Sequence, residues 1–80
     1  MDKAIVGIYI LTLQQLGNLE LEACNNALTS GNYISRGNRA FTFLRETDII
    51  DDNGEPKALE ELKTAVHLEI LSRYSNSIFD

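Results

Sequence analysis

The stretch AIVGIYILTL, residues 4–13, decides between two folds. Read as a strand, its Ile5, Val6, Ile8, Tyr9 and Ile10 suit a pleated sheet, where β-branched and aromatic side chains are enriched. Read as a helix, Ala4, Ile5, Val6, Ile8, Tyr9, Ile10, Leu11, Leu13 and Leu16 surround the axis instead of forming one stripe, so the segment must be covered on more than one side. No second strand-like run exists elsewhere in the chain to pair with it, and an unpaired strand is not stable. The reading is therefore a helix from about Lys3 to Leu16, ended at Gly17-Asn18. The stretch is also too short to span a bilayer, which takes about 20 residues. Asp2 and Lys3 before it sum to zero charge, and no small-x-small cleavage site follows before QQLGNLELE, so it does not read as a secretion signal. The expectation is a cytoplasmic protein without membrane contact.

Punctuation separates three further segments. LELEACNNALTS follows Asn18, a candidate cap, and stops at Gly31, the residue type that reaches the left-handed conformation most cheaply. Its Leu21, Cys24, Ala27 and Leu28 share one face, so Cys24 reads as a small core residue. Ser35 is a candidate cap for a third helix, RGNRAFTFLRETD, whose Ala40, Phe41, Phe43, Leu44 and Thr47 face inward. Arg36, Arg39 and Arg45 stay outside that face, and Gly37 and Asn38 weaken the first turn. The linker IIDDNGEPK ends with Pro56, suited to the first position of a last helix that runs to about Tyr74. In that helix Leu59, Leu62, Val66 and Ile70 form one stripe, and Ala58, Ala65, Leu68 and Leu71 an adjoining one.

Residues 1–80 make one domain, read as an all-α bundle of three to four helices. A chain this short buries only a little over roughly 60% of its unfolded surface and commonly needs a staple. One cysteine, Cys24, excludes an internal disulfide, and one histidine, His67, leaves no repeated Cys/His spacing for a structural metal. The staple left is a second copy. Two adjoining stripes on the last helix and an all-round apolar first helix present more apolar surface than one small monomer readily hides. The candidate dimer or core positions are Ile5, Ile8, Tyr9, Leu62, Val66 and Ile70.

Seven basic residues against twelve acidic ones give a net charge of -5. Such a chain is repelled by phosphate backbones, so nucleic-acid binding would need a local patch. The best candidate is a helix-turn-helix, with Arg36, Arg39 and Arg45 on the second helix as base or phosphate contacts. The seven acids between Glu46 and Glu61 would crowd the same face and weaken it. The linker partly matches a calcium loop counted from Ile49: Asp51, Asn53, Gly54 and Glu60 take the third, fifth, sixth and twelfth places. Its first ligand is missing, so it reads as a charged turn. His67 has no serine or cysteine close in sequence, and beside the apolar stripes it reads as a structural histidine. Asp51-Asp52 and Glu60-Glu61 are adjacent pairs that do not face each other on a helix. The expectation is no catalysis, no cofactor and no small-molecule substrate.

DKA at the start, SGNYISRGN with its following apolar face, and LEILSRY from Leu68 to Tyr74 together resemble the YmgB/AriR/YcgZ family of small biofilm and acid-resistance regulators. Ser30-Gly31, Ile34, Asn38 and the pairs Ala40-Phe41 and Phe43-Leu44 take that family's motif places. The linker DDNGEP is longer than the family's, and its Leu-Glu pair after the third helix is replaced around Thr47-Asp48. The resemblance implies a small helical dimer likened to the Hha type, acting as a connector in signalling and gene expression through protein contacts. The expectation is thus a noncatalytic homodimer that docks on another regulatory protein through the polar face holding Arg36, Arg39 and Arg45. Two other readings stand beside it: a DNA-binding module using the third helix, and an acidic inhibitor whose carboxylates at Glu46 to Glu61 mimic phosphates.

Overall fold

The computed structural model describes the backbone of residues 1–79 and the side chains of residues 1–75. It contains α1 (Lys3–Leu13), α2 (Asn18–Thr29), α3 (Phe41–Glu46) and α4 (Leu59–Phe79). The fold is all-α. Between α3 and α4 one isolated antiparallel bridge joins Ile50 and Pro56. The N-terminal stretch is a helix as expected, and it ends three residues early because Gln15 and Leu16 fall into turns bonded to Thr12 and Leu13. Asp2 starts α1, its carboxylate accepting from Ala4 N at 2.9 Å and Ile5 N at 3.3 Å. Those bonds satisfy two of the donors that every helix N-terminus leaves open.

Two helices close with the same chemistry. At the end of α2, Gly31 has φ +74 and the Asn32 N–H reaches the Ala27 carbonyl at 2.8 Å. At the end of α3, Asp48 has φ +65, its N–H donates to Arg45 O, and Ile49 N donates to Leu44 O at 2.9 Å. Both are Schellman closures, the second made by an aspartate and sealed by the buried Leu44 and Ile49.

Three expected boundaries are corrected. The third helix begins at Phe41, not at Arg36: Ser35, Gly37 and Asn38 form a turn in which Gly37 N donates to Ser35 Oγ and Asn38 N to Ser35 O. Ser35 therefore caps that turn and no helix, as short polar side chains do when they compete with helical bonding. Pro56 sits in the Ile50 bridge, and α4 starts three residues later at Leu59. Asn18 lies inside α2 as its first residue, with Gly17 in the capping position.

The core holds Val6 and Leu13 of α1, Leu21, Cys24 and Leu28 of α2, Phe41 and Leu44 of α3, and Leu62, Ala65 and Val66 of α4. Ile34, Ala40, Ile49 and Ile50 enter it from the connections. Met1 Sδ accepts from Thr64 Oγ1 at 3.2 Å, while the carbonyls of Leu13 and Leu16 meet Arg73. α1 and α4 therefore run parallel, with α2 packed on another flank of α4.

Candidate interaction surfaces

The three arginines do not line one helix. Arg36 and Arg39 precede α3, and only Arg45 is on it. The Arg36 guanidinium sits 5.0 Å from the centre of the Phe41 ring and donates to the Asp52 carbonyl. Arg45 approaches the Asp52 carboxylate at 3.9 Å. Two of the three thus tie the turn before α3, and α3 itself, to the linker. Arg39 alone has no hydrogen-bond or ion-pair partner among the described residues. It lines a crevice of about 290 Å³ with Gln15, Leu16, Gly17, Glu20, Ala40 and Phe43.

The linker is a built turn. Asp51 Oδ1 accepts from Asn53 N at 2.8 Å and Glu55 N at 3.0 Å, so this oxygen is spent on the backbone. Gly54, at φ +86, donates to Asp51 O, and its carbonyl accepts from Ile34 N at 2.9 Å. Ile49, the missing first calcium ligand, is buried in the core. Lys57 pairs with Asp48, and this hydrogen bond raises its pKa. Among the described residues no cluster of three or more His, Cys, Asp or Glu side chains is placed to hold a metal ion. His67, expected beside the core, is exposed on α4.

The candidate dimer positions divide. Leu62 and Val66 are fully buried in the chain's own core, and Tyr9 and Ile70 pack half-buried against it. They belong to the monomer. Ile5 is half-buried and Ile8 is 60% exposed. Around Ile8 the outer face of α1 is apolar: Ala4, Gly7, Ile8 and Leu11, the last 65% exposed, follow each other at helical spacing. On α4, Leu68 and Leu71 are 44% and 48% exposed. Both lie on the helix that runs parallel to α1.

A groove of about 620 Å³ opens between α2 and α4, lined by Asn18, Leu21, Glu22, Asn25, Asn26, Ile70, Arg73 and Tyr74. Two polar side chains, whose structural part the sequence did not show, join α2 to the rest of the chain. Arg73 donates from Nε to Glu69 at 2.8 Å, from Nη1 to Asn18 Oδ1 at 2.7 Å, and from Nη2 to the carbonyls of Leu13 and Leu16 at 3.1 and 2.8 Å. Asn38 accepts from Ala40 N and donates weakly to Glu20 O and Cys24 Sγ. Burial pushes the Cys24 thiol up to about 11, and the Asn38 amide opposes that only in part. The signal for Arg73 was its i,i+4 spacing from Glu69 on an otherwise apolar face. No helix among the described residues is long and apolar enough to cross a membrane. No family model, curated protein or solved structure matches the chain.

Proposed function

We propose that this protein is a noncatalytic regulatory protein that works by docking, as a homodimer, on another protein. The observation that carries the reading is the exposed apolar face of α1, with further exposed leucines on α4. A monomer that has closed its own core gains nothing from showing Ile8, Leu11, Leu68 and Leu71 to water, and contiguous patches of this kind mark interaction sites. Gly7 lies within that face with nothing within 4 Å of the position its Cβ would take. A glycine inside a helix costs about 1 kcal/mol against alanine, and a second helix crossing closely at that point gives the cost a return. The short motifs shared with the YmgB/AriR/YcgZ regulators support the same reading, with a role in biofilm or stress-response signalling. Arg39, which has no hydrogen-bond or ion-pair partner among the described residues, then belongs to the surface that meets the partner protein.

The test is sedimentation equilibrium at tens of micromolar. The wild type sediments as a dimer, and a chain carrying Ile8→Asp with Leu11→Asp sediments as a monomer of unchanged helicity. A monomeric wild type sinks the proposal. Substitution at Val66 does not serve, because its burial in the monomer makes Val66→Asp an unfolding mutation. Direct DNA binding is disfavoured by the engagement of Arg36 and Arg45 with Asp52.

A further inference from the structure

The groove between α2 and α4 carries chemistry that the dimer face does not use. Its floor is aliphatic, made by the buried Leu21 and the half-buried Ile70, with Tyr74 at one wall. The other wall is a run of carboxamides and one carboxylate: Asn18, Glu22, Asn25 and Asn26. Asn18 accepts from Arg73, whose donors also serve Glu69 and the end of α1. The side chains of Asn25 and Asn26 have no hydrogen-bond partner among the described residues. Asparagine is a poor choice for a helix interior, and two in succession in the middle of α2 do nothing for the helix itself.

We propose that this groove binds an extended peptide segment of a partner protein. A carboxamide presents two donors and an acceptor, the complement of a peptide unit's own carbonyl and N–H. An extended segment leaves those groups unpaired and needs such a wall. A helical ligand satisfies its backbone internally, and docking it would desolvate Asn25 and Asn26 for no return. An oligosaccharide would meet the amides but has no aliphatic side chain to seat on Leu21 and Ile70. From Asn18 to Asn26 the wall is about 12 Å long at the helical rise, the length of roughly four extended residues. Glu22 is a charged residue of the groove with no partner among the described residues, in a chain of net charge -5. The segment is thus aliphatic at its centre, with a lysine or arginine beside Glu22.

The test is panning of a random linear peptide library displayed on phage against the full chain, followed by fluorescence anisotropy with the enriched sequences as labelled synthetic peptides. Enriched sequences share an aliphatic residue next to a basic one. Their affinity falls at least tenfold with Asn25→Ala plus Asn26→Ala, substitutions that favour the helix and whose unchanged fold is checked by circular dichroism. Binding survives in the Ile8→Asp, Leu11→Asp chain, because neither residue lines the groove; failure of the dimer therefore leaves this site standing. The proposal is overturned if no sequence family is enriched, if the double alanine chain binds the peptides equally well, if the peptides become helical on binding, or if chitohexaose or cellohexaose binds and the peptides do not.

Discussion

At Arg73 four hydrogen bonds among the described residues join three parts of the chain: Glu69 on its own helix, Asn18 at the start of α2, and the carbonyls that end α1. Arg73→Met leaves the buried Glu69 charge and two terminal carbonyls unmet, and urea unfolding should show a loss of about 3–5 kcal/mol. Arg73→Lys should recover little, because one ammonium cannot fork to the same acceptors. The glycines separate in the same way. At Gly54 an added Cβ would stand 2.1 Å from the Ile34 carbonyl at a φ of +86, whereas Gly31 has open space around it. Gly54→Ala should therefore lower the melting temperature clearly more than Gly31→Ala, which meets only the left-handed penalty of about 1–2 kcal/mol. Cys24 sets a pH limit. Its folded thiol is held at about 11 against an ordinary 9.0, so the unfolded chain loses its proton first. The contribution of Cys24 to stability is then fully present below pH 9 and is lost as pH rises from 9 towards 11, by about 2 kcal/mol. Tyr9, raised by burial, adds to the fall with the same sign. Denaturant titrations across that range should show the drop, and Cys24→Ala should reduce it.

Among the elements, α1, α2 and α4 were legible because each carries apolar spacing over three or more turns, and Gly31 marked a stop that the Schellman bonds realise. The third segment misled. Its phenylalanines and leucine show the inward face correctly, but the residues before Phe41 bond as a turn, and Asn38 uses its side chain to hold Ala40 and reach α2. Propensity at Gly37 and Asn38 pointed to weakness there; which tertiary bonds replace the helix is invisible to a local pattern. The candidate site suffered the same limit. Arg36 and Arg45 stand outside the apolar face as expected, yet their engagement with Asp52 depends on a linker conformation built by Asp51 and Gly54. On α1, Gly7→Ala should raise the stability of the monomer by up to about 1 kcal/mol through helix propensity. If α1 crosses its copy there, the same substitution weakens the dimer, so thermal melting and sedimentation should move in opposite directions.

For the whole molecule, the Cα radius of gyration of 11.9 Å matches the roughly 12 Å expected of a compact chain of this length. The core closes within one chain, so a second copy would add to a finished monomer and would not complete a missing half. The connections fill part of that core, which a reading of helix faces alone leaves out: Ile34, Ile49 and Ile50 are buried although none lies in a helix. The bonds of Arg73 to Leu13 and Leu16 span 60 and 57 positions, so no local segment can make them and they form only once α4 has docked on α1. A fragment that lacks α4 has neither this closure nor the face on which α1 packs, and it leaves the apolar residues of α1 open to aggregation.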